Sequence, residues 1–137
     1  MILHDIIKAK GLDGKNEKKI IAAKFNGELM DLSRDVNSDE NFCSVEAITV
    51  DSPEGLEILR HSTAHLMAQA ILRLYPGTHF GVGPAIKDGF YYDVDVAGTI
   101  TEADLPKIEA EMRKISGAGE KVIREEMTKE EALKFFA

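Results

Sequence analysis

Residues 52–77 constrain the fold more than any other part of the chain. Ser52 is suited to cap a helix, because its hydroxyl can accept from a backbone N–H of the first turn. Pro53 suits the first helical position, where a missing N–H costs nothing. Glu54 and Glu57 sit near the positive end of the helix dipole. Pro76-Gly77 stops the helix after about Tyr75. One stripe reads Leu56, Leu59, Thr63, Leu66, Ala70 and Leu74. The other side carries Ile58, Ala68 and Leu72 together with His61 and His65. Apolar residues on more than one face predict a central, buried helix.

Shorter elements flank it. Ile2, Leu3, Ile6, Ile7 and Ala9 give a helix-like pattern over residues 2–10, closed by Gly11 and Gly14. A second short helical piece is expected near Asn16. Asn26-Gly27, between two short alternating segments, predicts a β-hairpin, because both central residues of that turn need positive φ. Polar residues 33–41 read as a loop and Phe42 to Val50 as a strand. Phe80 to Ile86 and Phe90 to Val96 read as two strands around a Lys87-Asp88-Gly89 turn. Thr101 opens a helix to about Lys114, ended by Gly117 and Gly119. Val122 to Met127 reads as a short strand. Thr128 and Glu131 form a capping-box pattern for a last helix through Phe136, with two exposed-looking phenylalanines.

Composition excludes several classes. No apolar run approaches the ~20 residues that a membrane helix needs, and no charged-then-apolar signal segment opens the sequence. A single cysteine, Cys43, rules out an internal disulfide framework and fits a reducing cytoplasm. Cys43 falls in an expected strand and reads as a small buried hydrophobe. The net charge of −7 is opposite in sign to that of most DNA and general RNA binders. The charge is uneven: residues 1–24 carry a local excess of +3, residues 25–51 carry −6, and residues 52–137 carry −4. The basic opening segment suits phosphate contact, and equally a solvated lysine face.

His61 and His65 are the main candidates for chemistry. Residues four apart share a helix face, so two imidazoles can converge on a metal ion, a water or a hydroxyl. The same spacing suits two histidines that hydrogen-bond within a core. The residues between are Ser62, Thr63 and Ala64, with no glutamate to act as a metalloprotease base. Two histidines fall short of a zinc site, and His4 and His79 offer no supporting spacing. Neutral imidazoles in a cleft can orient a water or take a proton near pH 7. Ser62 and Thr63 lack the partners of a nucleophile.

Gly81-Val82-Gly83-Pro84 lacks the third glycine of a dinucleotide loop, and no helix follows it. Gly83 and Gly89 instead predict unusual backbone angles and close approach. Phe90, Tyr91 and Tyr92 alternate along a strand, and this segment is placed to wall the cleft beside the histidines. Asp93 and Asp95 have nothing nearby to make them a metal pair.

Several motifs together resemble the threonyl-tRNA synthetase family. Asn26-Gly27-Glu28-Leu29-Met30-Asp31-Leu32 is similar to the hairpin of the TGS domain, a β-grasp module. Pro53 through Leu66, including His61-Ser62-Thr63-Ala64-His65, resembles the start of the family's editing domain. Gly83 through Asp93 resembles its next segment, and Glu131-Ala132-Leu133 fits as well. The resemblance implies an α+β chain in two parts. Residues 1–51 would be a partial β-grasp (TGS) module lacking its first hairpin. Residues 52–137 would be the first portion of the second additional (editing) domain shared by threonyl- and alanyl-tRNA synthetases.

That family charges tRNA with threonine using ATP. Threonine and serine differ by one methyl group, which pocket binding discriminates only ~10–200-fold, and the editing domain removes mischarged serine. The resemblance implies that His61 and His65 line this editing site and help place the tRNA 3′ end, its ribose hydroxyl and the attacking water. It implies no metal there, although alanyl relatives hold zinc with a similar four-residue set. ATP, Mg and Zn are expected in a catalytic domain absent from this sequence. The expected partner is threonine-specific tRNA, with no DNA or membrane, and with homodimerisation through the absent domain. Two departures stand out: the opening TGS hairpin is missing, which would leave a sheet edge unpaired, and so is the family's later Cys-x-x-x-His pair. The expectation is that this chain alone neither aminoacylates nor edits efficiently. A non-enzymatic RNA- or protein-binding module is the main alternative, and a free-standing trans-editing hydrolase is a third.

Overall fold

A computed structural model describes residues 1–14, 19–37 and 43–137. The chain is α+β. Helix α1 (Leu3–Ala9) is followed by strands β1 (Ile20–Phe25), β2 (Glu28–Met30) and β3 (Val45–Thr49). The strands form an antiparallel sheet in the order β2-β1-β3. The hairpin turn sits where expected, with Asn26 at φ 51° and Gly27 at φ 84°. Asn26 also ties the turn to the third strand, its Oδ1 accepting from Ser44 N–H at 2.9 Å. The expected helical piece near Asn16 and the first residue of the strand expected over 42–50 lie outside the described residues.

Period-two alternation divides β1 between two environments. Ala23 and Phe25 join Leu3, Ile6, Ile7 and Val36 in a core under α1, with Cys43 half-buried against it. Ala22 and Lys24 point to the opposite face, where Ala22 is cross-strand from Ile48 and Lys24 from Glu46. On that face Lys24 reaches the first turn of the long helix.

That helix, α2 (Pro53–Leu74), has the predicted ends. Ser52 Oγ accepts from Gly55 N–H at 3.0 Å, Pro53 occupies the first turn, and Tyr75 closes the helix. Its burial differs from the expectation. Ala64, Ala70 and Ile71 are buried, but Leu59, Leu72 and Leu74 are exposed, as are both histidines. Among the described residues a later helix (Leu105–Ala118) and a hairpin pack along it and β3 meets its first turn, which leaves a full face to solvent rather than enclosed.

The two strands expected over 80–86 and 90–96 form one irregular hairpin. It consists of β4 (His79–Phe80) paired with β7 (Val94–Asp95), and β5 (Ala85–Ile86) paired with β6 (Gly89–Phe90). Between these ladders Gly81 N–H donates to the Asp93 carbonyl and Asp93 N–H donates to the Val82 carbonyl. Regular pairing lapses around Pro84, which has no N–H to offer. Gly83 lies against the Tyr92 ring, where a Cβ would meet ring carbons at 2.5–2.7 Å. The expectation of close approach is met at Gly83, but without the unusual backbone angle, since its φ is not positive. It fails at Gly89, which has neither positive φ nor a neighbour within 4 Å of a built Cβ.

A short 3₁₀ turn (Glu102–Asp104) leads into α3 (Leu105–Ala118), which passes through Gly117 and stops at left-handed Gly119. Ile108 and Ile115 of α3 pack with Ala70 and Ile71 into a second core, joined by Phe80 and Val94 of the hairpin. The strand expected over 122–127 does not form. A strand needs a neighbour to take its backbone bonds, and no described residue pairs with this segment, where Val122 is 95% exposed. Helix α4 (Lys129–Phe135) follows its Thr128–Glu131 capping box and ends one residue earlier than expected. Phe135 and Phe136 are exposed as expected. No described helix is long and apolar enough to cross a membrane.

Candidate functional site

The straight middle of α2 sets the two expected residues one turn apart. The Nε2 atoms of His61 and His65 are 3.0 Å apart. Their ring centroids are separated by 4.6 Å and the planes meet at 82°. A contact of this length between ring nitrogens needs one N–H donor and one lone-pair acceptor. The histidines do bond to each other, but on the solvent side of the helix rather than in a core.

His65 borders a groove of about 460 Å³ between α2 and the end of α3. Ser62, Leu66 and Gln69 form the α2 wall. Ile115, Ser116 and Glu120 are among the residues of the opposite wall. Segment 83–93, expected to wall the cleft, contributes no lining residue to this groove. The segment sits instead beside the first half of α2, where Arg60 Nη1 donates to the Lys87 carbonyl at 2.6 Å. That bond fixes the hairpin tip one residue before His61. Tyr92 packs edge-on against Phe80, with centroids 5.4 Å apart.

The remaining candidates stay apart. The Thr63 hydroxyl donates to the Leu59 carbonyl of its own helix at 2.7 Å, and so is not positioned as a nucleophile. His4 lies on α1 beside Asp5, and His79 lies on β4. Among the described residues no group of three or more His, Cys, Asp or Glu side chains gathers to hold a metal. Sequence reasoning missed the contribution of the α3 terminus to the groove. The spacing of Ser62, His65, Leu66 and Gln69 put them on one face, but nothing local announced which helix would cover it.

No protein-family model matches the chain. It is 56% identical over 120 residues to a threonine–tRNA ligase of Streptococcus equi subsp. zooepidemicus, a match covering 87% of this chain and 18% of the relative. It is 52% identical over 129 residues to a threonine–tRNA ligase of Streptococcus pyogenes serotype M6, covering 93% of this chain and 20% of the relative. This chain corresponds to the N-terminal region of the threonine–tRNA ligases. A similar ligase of Streptococcus uberis is 50% identical over 129 residues, covering 93% of this chain. The chain spans about a fifth of the length of these curated relatives.

Proposed function

We propose that this chain supplies a threonine–tRNA ligase with the front of a hydrolytic editing site. The whole enzyme would join threonine to its tRNA using ATP, and this region would contact tRNA and help remove serine attached in error. The supporting observation is the His61–His65 contact, 3.0 Å between Nε2 atoms, exposed at the rim of a groove in a chain similar to threonine–tRNA ligases. Residues 1–51 read as the TGS-like module and 52–137 as the start of the editing domain.

The chemistry required is modest. Ester hydrolysis at a tRNA 3′ end needs a water held near the carbonyl and a group to accept its proton. A neutral imidazole does both. The ring that donates within the pair is oriented by that bond and presents its other nitrogen as an acceptor. The groove beside His65 has room for a small aminoacyl group, and its Ser62 and Gln69 can hydrogen-bond a ribose or amino group. The sequence holds no Cys-x-x-x-His pair, since residue 47, four after Cys43, is alanine. On this reading the chain alone does not edit.

The test replaces the corresponding region of a streptococcal threonine–tRNA ligase with this chain and measures Ser-tRNA hydrolysis and threonine charging separately. His61→Ala and His65→Ala are expected to slow hydrolysis on the order of 10²–10⁴-fold, with charging intact. Undiminished hydrolysis in the double variant would overturn the reading. Salt-dependent tRNA binding with no hydrolysis in either protein would favour a binding module instead.

A further inference from the structure

The passage from β3 into α2 is unusually tight. The Thr49 carbonyl oxygen accepts from both Ser52 N–H, at 3.1 Å, and Ser52 Oγ, at 2.7 Å. The same oxygen lies where a side chain on Gly55 would begin: a built Cβ would stand 1.8 Å from it. Gly55 is buried, so the first turn of α2 is seated directly on the last residue of the sheet. Only a residue without a side chain permits that seat.

A second contact lies beside the first. Lys24 Nζ, from the central strand, donates to Glu54 Oε1 at 2.6 Å. The Glu54 carboxylate and, more weakly, Glu46 hold the Lys24 ammonium above its ordinary pKa. The Glu54 side chain is 44% exposed, but its Oε2 atom is covered and has no hydrogen-bond partner, so that one oxygen faces the joint. Away from this joint the sheet unit and the later segment face each other across open space. Residues 121–124 line a cavity together with Asp31, Ser33, Arg34 and Asp35 of the sheet unit. The charge of Arg34 also reaches Glu126 and favours its ionised form, behind the larger effect of Arg124.

We propose that Gly55, with the Lys24–Glu54 pair, is a positioning device that fixes the angle between the sheet unit and α2. His61 lies only six residues beyond Gly55, under two turns of helix. Any tilt at the seat therefore swings the histidine pair relative to the sheet. The fixed angle lets one molecule lie against the sheet unit and reach the histidine face together. This consequence rests on the editing reading, whereas the fixed angle itself does not.

The test uses the full 137-residue chain with spin labels at Glu28→Cys, on β2, and Gln69→Cys, on α2, in a Cys43→Ala background. Electron–electron resonance reads the distance between the labels. A narrow distribution is expected in the parent, and a shifted or broadened one in Gly55→Ala. Glu54→Gln and Lys24→Met are expected to broaden it less. Gly117→Ala, at a helical glycine with open space around it, serves as the control and leaves the distribution unchanged. A broad parent distribution, or folded Gly55→Ala and Glu54→Gln proteins with the parent's distance and width, overturns the proposal. If Gly55→Ala fails to fold by circular dichroism, the Glu54→Gln and Lys24→Met distributions decide: broadening supports the device and unchanged width overturns it. No hydrolysis enters this readout, so failure of the editing reading leaves the result intact.

Discussion

The sheet unit and the helical unit bury their apolar residues in different ways. In the first, α1 lies on one face of a three-stranded sheet and closes over Leu3 and Ile7, the latter 1% exposed. In the second, α2 and α3 share a core at Ala70, Ile71, Ile108 and Ile115, while Val122, Ile123, Phe135 and Phe136 stand in solvent. The first covers most of its large apolar residues, leaving Met1, Ile2, Leu12 and Leu29 exposed. The second keeps many at the surface, and one of them, Val122, lines the groove beside His65. The contrast is between a unit built to be held in place and a unit that leaves surface available for contact.

Core truncations probe this contrast most strongly. Ile7→Ala is expected to cost about 3–4 kcal/mol, because the buried side chain leaves a cavity that α1 cannot collapse to fill. Ile71→Ala, 3% exposed in the more open core, is expected to cost about 2–3 kcal/mol. Urea unfolding of both variants measures the difference, and equal losses would erase the distinction between the units. Gly27→Ala, which forces a side chain to adopt φ 84° in the hairpin turn, is expected to cost about 1 kcal/mol in the same experiment. Phe136→Ser, at 81% exposure, is expected to change stability by less than about 0.5 kcal/mol and to lower binding of an apolar dye. A larger loss of stability would mean that the helical unit uses its outer residues structurally after all.

Acid gives a subtler comparison. Asp104 is held below its ordinary pKa chiefly by the Thr101 N–H and hydroxyl, and Glu131 likewise by Thr128. A depressed folded-state pKa contributes stability above the unfolded value, and that contribution disappears as pH falls through the folded value. Helicity from α3 and α4 is therefore expected to fall below about pH 4, as read by far-ultraviolet circular dichroism. Asp104→Asn and Glu131→Gln should flatten that response, and an unchanged acid transition would show that the caps are not its source.

The elements that were legible in the sequence are those with local determinants. The Asn26-Gly27 turn, the Ser52 cap, the Pro76-Gly77 stop and the Thr128–Glu131 box each appear in the structure because the signal and the geometry lie within a few residues. The histidine contact was legible for the same reason, as helical spacing alone brings the rings together. Burial around α2 was not, because periodicity shows that faces are apolar and cannot show how many partners will cover them. The strand expected at 122–127 failed on the same ground: β-propensity without a neighbour does not make a ladder. Gly55 carried no motif, and its role depends on a carbonyl six residues earlier being folded back onto it.

The bond between the two histidines also fixes which nitrogens face outward. When both rings are neutral and one Nε2–H donates to the other Nε2, the donor ring has a bare Nδ1 and the acceptor ring an Nδ1–H. A proton taken up at the first Nδ1 can be matched by transfer across the 3.0 Å bond and release from the second Nδ1. The two rings then exchange tautomers with no change in net charge. The pair is thus one hydrogen-bonded unit, in which reversing the bond between the Nε2 atoms switches both Nδ1 atoms together.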